Sequence, residues 1–329
     1  MENNKPTKYM MNKHEDVVVE MLQGLTQAHS HLTLYAEQKV VLGQPLEQTR
    51  VNLLSGGGSG HEPFAAGYVG EGMLSGAVAG NIFTSPPAAS VEAALQALCA
   101  DNQNGVLMII ANYTGDVLNF GIACEKVKAQ GHAIEMVTVG EDCALLNTGR
   151  ISLAGRRGMC GIVFVIKIAG AMAVNGKTLQ EIASESKTVA NSVSTLGVCL
   201  EACSIPGSKP MFTLAHDQMD FGLGIHGEAG ICRSKMTTAD QIVGVLLDKI
   251  GMSLKLQSGC TVCVLVNNLG TLTQLEMGIV LGEIHEYFSK AGRASNVDSD
   301  LVNDKDAGAY GVQLWINRII RVLKEEVYT

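Results

Sequence analysis

Val51-Asn-Leu-Leu-Ser-Gly-Gly-Gly-Ser-Gly-His-Glu-Pro63 passes from a short apolar run into glycine and serine and ends in His-Glu-Pro. The run Val51–Leu54 reads as a buried strand, and Ser55–Pro63 as a loop leaving its carboxyl end. Outward from it, Gly105–Ile110 and Ala133–Val139 are further short, branched, apolar runs of strand length. Helix-period segments lie between and after them at Pro87–Ala100 and Val117–Gln130. That alternation predicts an α/β sheet with helices on its faces. A helical stretch at Thr178–Glu201 precedes a second alternating set. It comprises the strand Phe221–Ile225, the helix Thr238–Ile250, the strand Thr261–Val266 and the helix Leu272–Lys290. Turn chemistry at Ile205–Pro210 places a boundary nearby. The expectation is two α/β domains, residues 1–190 and 191–292, with a binding site at strand-end loops. A divergent tail, residues 293–329, is expected to form a loop and then one amphipathic C-terminal helix over the apolar run Val312–Val327.

With 47% hydrophobic and 17% charged residues, the 329-residue chain has ample core for two domains. A net charge of −8 and 5% aromatics argue against nucleic acid and anionic membranes as partners. Met1–Asp16 lacks the apolar stretch of a signal peptide, and the apolar run Cys160–Val174 is broken by Lys167. A cytoplasmic protein is expected. The nine cysteines are scattered; Cys260 and Cys263 form a C-x-x-C within an apolar run, with no second pair at zinc spacing. Buried free thiols and no metal site follow.

Three strand-end loops pair glycine backbone with a proton-transferring group. Ser55–Pro63 holds Gly58, Ser59, Gly60 and His61; Asn112-Tyr-Thr-Gly-Asp116 holds Asp116; Gly224-Ile-His-Gly-Glu-Ala-Gly230 holds His226. The first loop could cradle a phosphate or an oxygen-rich substrate with its N–H groups, yet it is not a Walker loop, because no Gly-Lys-Ser/Thr follows. Gly222-Leu-Gly-Ile-His-Gly227 matches G-x-G-x-x-G, but Glu228-Ala-Gly230 keeps the segment loop-like up to a helix near Thr238. A dinucleotide site needs that motif to open a helix directly, which sets an NAD-dependent dehydrogenase aside. His29, His31, His132, His216 and His285 sit in surface or amphipathic contexts, whereas His61 and His226 are flanked by glycine and acid. A neutral imidazole there can attack a carbonyl or act as general base. Asp116 can cap the helix that follows it and still serve chemistry.

Several segments, in order, resemble the substrate domain of the dihydroxyacetone kinases. They are Leu54–Pro63, Phe83-Thr-Ser-Pro86, Asn112–Phe120, Gly155-Arg-Arg-Gly158, Thr195-Leu-Gly197, Ser208-Lys-Pro210, Gly222–Glu228 and Val266-Asn-Asn-Leu-Gly270. The likeness covers roughly residues 15–292 and is closest to the triokinase/FMN cyclase branch, where a substrate domain precedes an ATP domain. It implies that His226 adds to the carbonyl carbon of dihydroxyacetone as a reversible hemiaminal, and that Gly58, with Ser59 and Gly60, contacts the substrate. His61 and Asp116 would handle the proton of the hydroxyl that attacks ATP, giving dihydroxyacetone phosphate. Mg-ATP would sit on a partner domain or subunit, with nothing tightly bound here, and the family suggests a homodimer in glycerol metabolism.

Two departures stand out. The family usually has a substrate-contacting lysine where Ala111 stands, and the match stops near Gly292, without the ATP domain and its acidic magnesium loop. Asp298, Asp300, Asp304 and Asp306 are the nearest approach to such a loop and read as a solvated linker. These departures leave a second reading open: a non-catalytic sensor or coactivator that holds dihydroxyacetone.

Overall fold

A computed structural model describes residues 9–146, 154–290, 295–296 and 311–318. Its contacts group the chain into two compact units made of interleaved segments. Unit 1 is residues 1–139, 162–188 and 204–210; unit 2 is residues 140–161, 189–203 and 211–329. A single cut near residue 190 misses this, because the chain crosses between units several times.

Unit 1 holds α1 (Val17–Ala28), β1 (Leu32–Tyr35), β2 (Val40–Gly43), β3 (Asn52–Ser59), β4 (Gly76–Ile82), α2 (Ala88–Cys99), β5 (Val106–Ala111), α3 (Thr114–Lys128) and β6 (Ile134–Val139), with α4 (Ile162–Val174) and most of α5 (Leu179–Asn191). Its six strands lie in the order β1-β2-β4-β3-β5-β6, parallel from β4 to β6 and antiparallel at β1 and β2. All six residues of β5 are buried. Val106, Met108 and Ile110 join a core with Leu95 and Leu98 of α2 and Phe120 and Val127 of α3. The period of two sends Leu107 and Ile109 to the other face, where α4 meets β3 and β5. The expected strand Val51–Leu54 runs on to Ser59, through the glycines read as a loop. The reason is steric: a Cβ on Gly56 would overlap the Val78 carbonyl oxygen, and one on Gly58 would lie 2.6 Å from Thr84 N. Glycine lets the strand pass there.

Unit 2 holds β7 (Val193–Cys199), β8 (Gln218–Phe221), β9 (Cys232–Lys235), α6 (Ala239–Ser253), β10 (Val262–Asn268), α7 (Gln274–Lys290), β11 (Ser295–Asn296) and β12 (Gly311–Arg318). The strand order is β11-β10-β12-β7-β8-β9. Val243, Leu246, Leu247 and Ile250 of α6 pack with Met277, Ile284 and Phe288 of α7 over Val264, Val266, Leu196 and Phe221. Thr273 and Glu276 close a reciprocal capping box at the start of α7: each backbone N–H bonds the other's side chain, at 2.7 and 3.3 Å.

Four expectations change here. The predicted helix Thr178–Glu201 stops at Asn191, and Val193–Cys199 is a strand buried at all seven positions. Its branched residues Val193, Thr195 and Val198 suit a sheet rather than a helix. The predicted strand Phe221–Ile225 is instead Gln218–Phe221, ended by Gly222 at φ +76°. The first part of the expected tail helix is strand β12, which pairs antiparallel with both β7 and β10 and fills the place between them. An unfilled place would leave two rows of backbone polar groups unpaired. The rest of that helix and Asp298, Asp300, Asp304 and Asp306 lie outside the described residues. Cys260 and Cys263 are half-buried rather than buried. No helix among the described residues is long and apolar enough to cross a membrane.

Candidate functional site

In unit 1 the end of β3 and the segment Gly80–Pro86 face each other. Ser59 Oγ donates to Gly80 O at 2.8 Å, and Phe83 N–H donates to Ser59 O at 2.9 Å. Gly60, at φ +102°, turns the chain, and its N–H donates to Glu62 Oε2 at 3.0 Å. A Cβ at Gly60 would lie 2.7 Å from Phe83 Cε1. That clearance lets the buried His61 ring stack on Phe83, with centroids 5.0 Å apart and planes at 21°. Gly58 and Ser59 thus stand on a strand, not on the loop expected.

Asp116 also differs from expectation. Helix α3 begins at Thr114, with Tyr113 at its N-cap, so Asp116 lies inside its first turn instead of preceding a helix from Val117. Only Asn112 and Tyr113 separate it from β5, which sets the early start. The carboxylate is buried and faces β3: a Cβ on Gly57 would be 3.8 Å from Asp116 Oδ2. The N-terminal partial charge of α3 favours an anion at that place. Gly58, Ser59, Gly60, His61 and Asp116 are therefore brought to one end of unit 1, and Ala111 closes β5 just before it.

His226 belongs to unit 2, on the segment Gly222–Gly230 between β8 and β9. That segment opens no helix directly, so the G-x-G-x-x-G resemblance ends there. Leu223 anchors it in a small core with Cys199 and Leu269. Gly227, at φ +82°, would place a Cβ 2.5 Å from Cys203 Sγ. The carboxylate of Glu228 folds back on the histidine: Oε2 accepts the His226 N–H at 2.9 Å and Oε1 meets Nδ1 at 3.4 Å. Burial alone would push this carboxyl up. The hydrogen bond and charge of His226, a backbone bond and the Arg157 guanidinium outweigh it and pull it down to about 2. Glu228 is then a carboxylate throughout the neutral range and can only accept. A neutral ring bonded to it carries its proton on Nδ1 and its lone pair on Nε2.

Arg157 and Asp142, to which no role was assigned from sequence, complete this half. Arg157 Nε and Nη2 reach Asp142 Oδ2 at 2.7 and 2.6 Å, and Nη2 donates to Gly222 O at 2.8 Å. The available signal was Gly155-Arg-Arg-Gly158, a doubled arginine between glycines. Asp142 carried none.

Two mixed six-stranded sheets, with His61, Asp116 and His226 on the segments that follow their strands, define a two-unit α/β class of protein. The Dak1 domain model matches residues 23–302. The chain belongs to the Dak1 domain family. It is 46% identical over 281 residues to human triokinase/FMN cyclase, covering 83% of this chain and 48% of that protein. The chain thus spans about half the length of the triokinases it matches. It is also 39% identical to the dihydroxyacetone-binding subunit of a Listeria innocua PTS-dependent dihydroxyacetone kinase, across 90% of this chain and 89% of that subunit. Among solved structures, the dihydroxyacetone kinase of C. freundii superposes with a TM-score of 0.88 at 30% identity, over 98% of this chain and 59% of that one. A dihydroxyacetone kinase operon co-activator superposes at 0.87 with 27% identity, over 92% of this chain and 93% of that one.

Proposed function

We propose that the chain holds dihydroxyacetone through His226 and presents its hydroxyl for phosphorylation to dihydroxyacetone phosphate. The observation that carries this is the Glu228 carboxylate on Nδ1, which leaves the Nε2 lone pair as nucleophile. As the Nε2–carbon bond forms, the carbonyl π bond breaks and the ketone oxygen takes a proton. The ring gives up its Nδ1 proton, so the hemiaminal is neutral and the step balances. Glu228 stabilises the positive charge that develops on the ring before that loss. Glycerol has no carbonyl to add to, so the same bond selects the substrate.

In this reading His61 and Asp116 handle the proton of the attacking hydroxyl, and Gly58, Ser59 and Gly60 offer backbone at close range. The described residues gather no three His, Cys, Asp or Glu side chains in a metal-holding group. The reading accordingly puts Mg-ATP, which supplies the phosphoryl group, on a partner domain or subunit. A second reading, a ligand-holding regulator, draws on Ala111 in place of the family's lysine and on the co-activator likeness.

Native mass spectrometry of the chain with dihydroxyacetone tests the proposal. A covalent adduct is expected on the natural chain and absent from His226→Ala; equal adduct on both refutes it. Product should form from Mg-ATP only when an ATP-binding kinase domain is added, and His61→Ala or Asp116→Ala should then abolish turnover more than binding. An adduct without product under those conditions selects the regulator.

A further inference from the structure

The segment that carries His226 has no regular structure of its own; Asp220 Oδ2 accepts its Gly230 N–H at 2.9 Å, Glu228 lies within it, and the cation that reaches it, Arg157, comes from far away in sequence. Arg157 is itself firmly placed. Its carbonyl accepts the N–H groups of Glu141 and Asp142, both at 3.1 Å. Its guanidinium is fixed by Asp142 Oδ2, while Asp142 Oδ1 accepts the Ala144 N–H at 2.9 Å. Asp142 is buried and paired by a β-bridge with Thr195 of β7, so the anchor stands on the sheet.

From that anchor the guanidinium fork reaches the histidine segment twice. Nη2 donates to Gly222 O at 2.8 Å, with Leu223 O at 3.5 Å. Nη1 flanks Gly224 from the same side as Glu228: a Cβ on Gly224 would lie 2.7 Å from Nη1 and overlap Glu228 Oε2. Only glycine leaves room for the cation and the carboxylate to approach there. The arrangement needs a planar fork with donors in several directions, which lysine lacks.

We infer that Arg157, anchored by Asp142, is a positioning residue for His226: by fixing Glu228 it keeps the ring proton on Nδ1 and the lone pair on Nε2. The consequence for substrate rests on the proposed reading of His226 as nucleophile, whereas the state of the ring does not. Arg157 also adds to the charges that hold Glu228 ionised. A protonated or displaced Glu228 would no longer select one tautomer.

The test is nitrogen NMR of the ¹⁵N-histidine-labelled chain without ligand, the His226 signals being assigned by their loss in His226→Ala. The natural chain should show neutral His226 as the Nδ1–H tautomer. Arg157→Gln and Asp142→Asn should show a tautomer mixture, and Arg157→Lys should restore little of the preference. Adduct occupancy with dihydroxyacetone should fall about tenfold or more in Arg157→Gln, the weight of one lost charge-assisted hydrogen bond. A natural ring spectrum in a folded Arg157→Gln chain overturns the inference. Should that variant fail to fold, the same spectrum in Asp142→Asn, which keeps the cation but removes its anchor, overturns it equally. If the natural chain forms no adduct, the functional reading fails, while the ring spectrum still decides the role of Arg157.

Discussion

Replacing Glu141 by glutamine should change how unit 2 responds to pH. Glu141 is fully buried. Its Oε1 accepts the N–H groups of Met159 and Gly161 at 2.9 and 2.8 Å and the Thr195 hydroxyl at 3.3 Å. Oε2 meets no donor or acceptor among the described residues. Burial dominates and, despite those bonds and Arg156, raises the carboxyl from 4.5 to about 8. A carboxyl raised in the folded state is protonated there while the unfolded chain has already ionised. Its contribution to stability is therefore complete below about 4.5 and is lost as pH rises to about 8. The slope is about 1.4 kcal/mol per pH unit, so raising the pH from 5 to 7 costs on the order of 2–3 kcal/mol from this group alone. Glutamine keeps the Oε1 acceptor and cannot ionise. Urea unfolding followed by the fluorescence of Trp315, the one tryptophan, suits the measurement, because Trp315 pairs with Thr195 across β12 and β7. The expected result is a stability loss between pH 5 and 8 in the natural chain that Glu141→Gln lacks, the variant being the more stable at pH 8. Parallel pH profiles for the two proteins would refute the reasoning.

Two further changes test other parts of the molecule. Ala111→Lys restores a charged donor at the end of β5 and should strengthen dihydroxyacetone binding about tenfold by calorimetry; unchanged or weaker binding means the strand end is built around alanine. Gly56→Ala should lower the unfolding free energy of unit 1 by about 1–3 kcal/mol, because the added methyl must displace the Val78 backbone; a loss under about 0.5 kcal/mol in urea unfolding would show that the close approach gives way freely.

The elements legible in the sequence were those whose residues decide their own conformation. β5 is a continuous apolar run, β6 and β10 are rich in branched apolar residues, and α2, α6 and α7 repeat their core residues at helical spacing. The elements missed or misread depend on neighbours. β4, Gly76-Ala-Val-Ala-Gly-Asn-Ile82, is made of small residues because β3 and the Thr84 turn press on it, and its propensity is accordingly weak. β7 follows α5 after a single residue, Ser192, so a window wide enough to see a helix also takes in the strand. β12 has apolar residues that fit either period, and its pairing with β7 and β10 decides between them.

Glycine content shows the same division at the scale of the site. Close backbone approach is the reading that 37 glycines invite, and it holds at Gly56, Gly58, Gly80 and Gly170, where a Cβ would strike backbone. It fails at Gly24, Gly121, Gly244 and Gly278, where nothing lies within 4 Å. Composition cannot separate the two kinds; a glycine beside His61, or at Gly224 beside His226 and Glu228, is marked by its chemical neighbours. Those neighbours are local, so the candidate reacting groups could be named from short stretches. What holds them comes from elsewhere: Phe83 under His61 is 22 positions on, and Arg157 reaches Gly222 of the His226 segment across 65. On the inference drawn above, the proton position on His226 depends on the distant group as much as on the adjacent one. A candidate nucleophilic histidine can thus be named from sequence before its attacking nitrogen can, because the second question is answered by residues that only the fold makes neighbours.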